Sequence, residues 1–167
     1  MKTRPFVRPL LAALLLLAVG SSLSAQGRRQ RQEQKKEAVR QAIASKEYTI
    51  NVDRALPMGG SSISLTSSFS LRIKNDSVFS YLPYYGRAYS VPYGGGKALN
   101  FNAPIQEYSL TTNRKGTATI RFRATTDEDS YDFRAQVFDN GSASIDVTMR
   151  NRQAIHFQGE LADDNRR

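Results

Sequence analysis

Three consecutive stretches in the C-terminal half alternate between apolar and polar residues. That period of two restricts the region to antiparallel β-structure with one buried face. Ile120, Phe122 and Ala124 alternate with Arg121, Arg123 and Thr125. Tyr131, Phe133, Ala135 and Val137 alternate with Asp132, Arg134 and Gln136. Ala143, Ile145, Val147 and Met149 alternate with Ser144, Asp146 and Thr148. Between the last two stretches, Asp139-Asn140-Gly141 is a hairpin signal, because Asn and Gly tolerate the positive φ that tight hairpins require. Between the first two lies the acidic corner Asp127-Glu128-Asp129. It could attract Ca²⁺ but lacks the ligand spacing of an EF-hand, and it reads as a solvated turn.

The same alternation recurs upstream. Tyr48, Ile50 and Val52 mark one strand, and Leu65, Ser67, Phe69, Leu71 and Ile73 line one face of a longer one. Asn75-Asp76 forms a turn into 77–82, and 105–112 carries Tyr108 and Leu110 on one face. Ile155 and Phe157 belong to a final strand. The expected fold is mainly β: an antiparallel meander of about seven or eight strands curled into a partly closed barrel. A two-layer β-sandwich is the alternative. Before the strands, residues 33–46 change period. Ala38, Val39, Ala42 and Ile43 form a short apolar stripe at helical spacing, so one N-terminal helix should lie over the barrel opening.

The first residues have a different logic. Lys2, Arg4 and Arg8 precede the apolar run from Leu10 to Val19, and small and polar residues follow to Ala25. This is the order of a secretory signal peptide, and the run is shorter than the roughly 20 residues of a membrane-spanning helix. The expected organisation is a signal at 1–25, a polar tether at 26–34, a single domain at 35–161 and a polar tail at 162–167. Periplasmic or extracellular location follows, with no transmembrane segment after cleavage. The chain has no Cys, so no lipidated cysteine, disulfide or thiolate ligand is available, and the protein is not expected to be a lipoprotein. The formal net charge of +9 includes the three basic residues of the signal. Much of the remaining excess lies between Arg28 and Arg40, outside the β-body, which argues against a nucleic-acid surface. The chain is read as a monomer.

Residues 80–104 break the alternation. Tyr81, Tyr84, Tyr85, Tyr89 and Tyr93 lie there with three Pro and four Gly residues, and Leu56-Pro57-Met58-Gly59-Gly60 is a shorter segment of the same kind. Pro fixes φ and Gly permits unusual φ, so both are shaped loops. Tyr, with an apolar ring and a hydroxyl, suits a half-exposed recognition surface as well as a cover for an open sheet end. Tyr84, Tyr85, Arg87, Tyr89 and Tyr93 are the candidate ligand-binding residues, and Asp53 and Arg54 the residues that would organise the neighbouring loop.

Chemistry for catalysis is sparse. His156 is the single His and points away from the core on the alternation of Ile155 and Phe157. No catalytic residue, metal ligand or cofactor is assigned. The leading expectation is a non-catalytic exported envelope protein that binds a glycan, peptide or protein through the Tyr/Gly/Pro loop. The alternatives are a carboxylate-dependent hydrolase of an envelope glycan, using residues such as Asp53 and Glu107, and a purely structural periplasmic protein.

Four stretches carry a resemblance. Asp53-Arg54-Ala55-Leu56-Pro57, Tyr81 to Tyr89, Leu99-Asn100-Phe101, and Asn151 to Ile155 with Phe157-Gln158-Gly159 are similar to the DUF4251 family of small exported Bacteroidetes proteins, many of them lipoproteins. The resemblance implies a domain spanning nearly the whole mature chain and a bacterial envelope location. It brings no activity and no catalytic residues.

Overall fold

The computed structural model describes residues 27–90 and 96–162. The expected signal segment 1–25, Tyr93 and most of the expected tail lie outside the described residues. A helix, α1 (27–44), leads into eight strands: β1 (Tyr48–Pro57), β2 (Ile63–Lys74), β3 (Ser77–Tyr81), β4 (Asn100–Thr112), β5 (Ala118–Thr125), β6 (Ser130–Val137), β7 (Ser142–Met149) and β8 (Ile155–Leu161). Each strand pairs antiparallel with the next, and β8 returns to pair with β1. The expected meander therefore closes completely, and the sandwich alternative falls. Helix α1 begins at 27, within the tract read as a tether. Its first residues are exposed throughout, and their Arg, Gln and Glu are ordinary helix formers that need no tertiary partner to extend an existing helix.

The alternating residues define inside and outside. Ile120, Phe122, Ala124, Tyr131, Phe133, Ala135, Val137, Ile145, Val147 and Phe157 are buried and fill the barrel together with Ile50, Leu71, Ile73 and Val78. Stacked rings run through this core: Phe122 on Phe133 at 4.8 Å and Phe101 on Tyr131 at 4.3 Å. The outer face carries Arg121, Arg123, Asp132, Arg134 and Asp146. Apolar inside and charged outside is the reverse of a barrel that faces lipid. Among the described residues, no helix is long and apolar enough to cross a membrane.

Two bulges let the alternation close on itself. In β1 the register against β8 jumps from Val52–Gly159 to Arg54–Gln158, leaving Asp53 as an extra residue. The parity shift moves the inward positions from Ile50 and Val52 to Ala55. In β4, Glu107 and Tyr108 together oppose Phe122, with Glu107 at φ 53°. The bulge turns Glu107 outward and Tyr108 inward. At the β1–β8 seam the backbones approach so closely that a Cβ on Gly159 would collide with the Asn51 carbonyl oxygen. Only Gly fits there.

The two barrel ends are closed differently. At one end Val39 and Ile43 of α1 are buried in the core, as the apolar stripe requires. Lys36 reaches Asp139 at 3.6 Å, and Gly141, at φ 86°, leaves room for Lys35 and Val39 against the β6–β7 turn. The other end receives the connections 58–62, 82–99, 126–129 and 150–154. Strand β2 departs from the sequence reading there. Its pairing with β1 jumps from Phe69 to Ser64, Ser67 is exposed, and Leu65 and Phe69 are only half-buried. Strand β3 pairs with Ser70–Lys74 alone, so the first half of β2 extends past its neighbour.

Candidate functional site

The segment after β3 is anchored at both ends by leucines. Leu82 and Leu99 are buried, and the Leu82 amide donates to the Leu99 carbonyl at 3.2 Å. The Ser80 hydroxyl donates to that same carbonyl at 2.6 Å, and the Tyr131 hydroxyl to the Ala98 carbonyl at 2.9 Å. Burial pushes the Tyr131 phenol up from its usual value, so it remains a donor.

Beneath the segment lies a polar core that sequence reasoning missed. Asp129, its side chain wholly buried, accepts the amides of Ser130 at 2.8 Å, Arg150 at 3.1 Å and Asn151 at 3.1 Å. The guanidinium of Arg152, 3% exposed, lies 3.6 Å from Glu128 and 4.0 Å from Asp129. The other Glu128 oxygen accepts the Lys97 amide at 3.0 Å. The corner 127–129 is thus not the solvated turn expected of it. A carboxylate that gathers several amides organises a turn from within, and here it fixes the β7–β8 connection. The local signal was only the run of acids. Its basic partner lies 23 and 24 residues downstream in Arg152, beyond any periodicity.

The β7–β8 connection in turn holds the Tyr-rich arm. Ala88 and Arg152 form an antiparallel bridge, the Tyr89 amide donates to the Asn151 carbonyl at 2.8 Å, and the Gln153 amide donates to the Arg87 carbonyl at 3.0 Å. The Tyr84 hydroxyl donates between the carbonyls of Arg87 at 2.9 Å and Gln153 at 3.0 Å. Tyr84 is therefore a strut: its half-buried ring packs against the core while its hydroxyl ties arm to barrel. Burial also pushes this phenol up.

The other candidates separate from it. Tyr85, 37% exposed, and Arg87 face an open groove of about 860 Å³ whose opposite wall is the loop from Pro57 to Ile63, including Gly59 and Gly60. Tyr89 is 69% exposed on the same arm but does not line that groove. The structure thus brings Tyr85 and Arg87 together with the shorter Pro/Gly loop. Asp53 and Arg54 stand exposed at the β1 bulge, and neither makes a side-chain hydrogen bond or ion pair among the described residues.

For catalysis, Asp53 and Glu107 lie on non-adjacent strands, and Glu107 is 3.2 Å from Arg123. His156 sits on the outer face with Nδ1 2.7 Å from Asp146 Oδ1. Among the described residues, no three His, Cys, Asp or Glu side chains gather as a metal site.

The comparisons with known proteins concern the barrel as a whole. A crystal structure of a DUF4251 family protein from Bacteroides eggerthii superposes with a TM-score of 0.60 at 11% sequence identity, covering 80% of this chain and 90% of that one. At that identity the likeness is one of fold. No curated protein matches the sequence. The sequence profile described as a domain of unknown function, DUF4251, matches residues 30–161, from within α1 to the end of β8. The chain belongs to the DUF4251 family.

Proposed function

We propose that this DUF4251 barrel is an exported, non-catalytic binding module of the bacterial envelope, recognising a glycan, peptide or protein at the groove between the Tyr85–Arg87 arm and the Pro57–Ile63 loop. The observation that carries the reading is a division of labour among neighbouring tyrosines. Tyr84 is spent on fixing the arm, while Tyr85 and Tyr89 expose their rings on it. A half-exposed aromatic on a rigid support loses little entropy on binding, and the facing glycines let a ligand approach the backbone closely. Export rests on the basic, apolar and small-residue order of residues 1–25.

The test has two parts. The N-terminus of the protein recovered from the cell envelope should begin near Gln26; retention of residues 1–25 in a cytoplasmic fraction would defeat the location. Envelope glycans and peptides are screened against wild type, Tyr85→Ala and Tyr89→Ala. Loss of about 1–3 kcal/mol of affinity in Tyr85→Ala is expected, the scale of removing a central aromatic anchor. A partner that binds both variants as it binds wild type would remove the assignment of this surface.

A further inference from the structure

A second groove, of about 840 Å³, runs across the outer faces of β4 to β8 on the other side of the 58–62 loop. Its floor is a straight rung of outward side chains. Arg121 of β5 stands opposite Arg134 of β6, Arg134 opposite Asp146 of β7, Asp146 opposite His156 of β8, and His156 opposite Leu56 of β1. The groove holds as many carboxylates as guanidiniums, but they are not evenly matched: Arg121 faces Ser109 and Arg134 with no acid directly across from it, while Arg134 lies between Arg121 and Asp146. Arg123 holds both Asp132 at 2.8 Å and Glu107 at 3.2 Å, and Asp146 is engaged by His156 at 2.7 Å. Arg121 and Arg134 make no ion pair among the described residues, although they face each other directly. Like charges directly opposite on neighbouring strands destabilise a sheet, so the contact between Arg121 and Arg134 does not itself hold the fold, although Arg134 also faces Asp146.

Two arginines at facing positions on neighbouring strands can turn both guanidiniums onto the oxygens of one carboxylate. The surrounding acids narrow the ligand further. Asp132, Asp146 and Glu107 line the same groove and would repel a dense polyanion, but they can accept hydrogen bonds from hydroxyls. Leu56 and Met58, the latter 74% exposed, supply an apolar wall at the end of the rung. Spaced carboxylates, many hydroxyls and apolar C–H faces together describe an acidic sugar. We infer that the groove over Arg121 and Arg134 binds an acidic saccharide, with one uronate carboxylate on the two guanidiniums and ring hydroxyls on the flanking carboxylates.

The test is calorimetric titration of the purified protein with trigalacturonate, its fully methyl-esterified form and inorganic phosphate. Trigalacturonate should bind, and the ester, in which each charged carboxylate becomes a neutral methyl ester, should bind at least about tenfold more weakly, the scale of a lost charge-assisted hydrogen bond. Arg121→Gln and Arg134→Gln should each weaken binding by about tenfold. Arg121→Gln, whose cross-strand neighbours are Ser109 and Arg134, should leave the melting temperature equal or higher, since it relieves a like-charge contact without removing an attractive one. Tyr85→Ala tells the two grooves apart: loss of trigalacturonate affinity in that variant would place the sugar at the arm and overturn the inference. Absence of trigalacturonate binding, equal binding of the ester, equally tight binding of phosphate, or unchanged affinity in both Arg variants would overturn the inference. A lower melting temperature in Arg121→Gln would show that arginine to be structural and would overturn it too.

Discussion

The two ends of the barrel solve one problem by different physics. At the helix end an apolar stripe, Val39 and Ile43, drops into the core over tight turns. At the loop end a buried carboxylate and guanidinium, Asp129 and Arg152, gather backbone amides and hold a long arm in place. Apolar closure is non-directional and tolerates small displacement. Polar closure is directional, so it fixes the arm's backbone and lets chosen side chains point outward. The candidate recognition surface lies at the end that needed orientation as well as cover.

That contrast can be broken by substitution. Arg152→Ala should have the largest effect, because it strands Glu128 and Asp129 without their cation. Loss of a buried partner typically costs about 3–5 kcal/mol, and the arm should become protease-sensitive. Urea unfolding with limited proteolysis measures both, and a loss near zero would mean that the arm is held by its backbone bonds alone. Ile43→Ala should cost less, about 2–3 kcal/mol, and leave the arm protected, since the cavity it opens lies at the far end. Exposure of the arm in this variant would show that the two ends are coupled.

The smallest effect is one of pH. Tyr48, at the start of β1 near the helix end, is deeply buried, and its hydroxyl lies beside that of Tyr108 without the geometry of a hydrogen bond. Burial raises its phenol far above the usual value. The folded chain therefore keeps the proton while the unfolded chain releases it above about pH 10, so the stabilisation is complete below that pH and falls as pH rises. A loss of about 1 kcal/mol between pH 10 and 11 is expected from this group, and Tyr48→Phe should remove that share. Chemical denaturation at the two pH values decides it.

What could be read in advance followed the range of the signal. Strands β5 to β7 and the turn at Asn140-Gly141 were legible because alternation and Asn-Gly chemistry act over a few residues. The register of β1 against β8 was not, since it depends on a bulge at Asp53 that no residue preference announces. Glu107 is a harder case, because a non-glycine residue at positive φ contradicts local propensity and is set by pairing with β5. Strand β2 misled in the opposite sense: Leu65 and Phe69 alternate correctly, but β3 is too short to cover them. At the candidate site, Tyr, Gly and Pro marked the arm. Whether a given Tyr is a strut or an exposed ring depends on where the β7–β8 connection passes, which adjacent residues cannot reveal.

The seam at Gly159 also governs the order in which the barrel can be completed. It joins the first strand to the last, so Tyr48–Pro57 must wait for Ile155–Leu161 before its free edge is paired. A ribosome releases that final strand after every other, and so would a translocation pore. Until then the meander is a sheet with two open margins. Contacts of such wide sequence separation form slowly, because the loop entropy is lost before the seam can reward it. Late ring closure leaves the nascent chain a long interval as an open sheet whose first and last strands have not yet met.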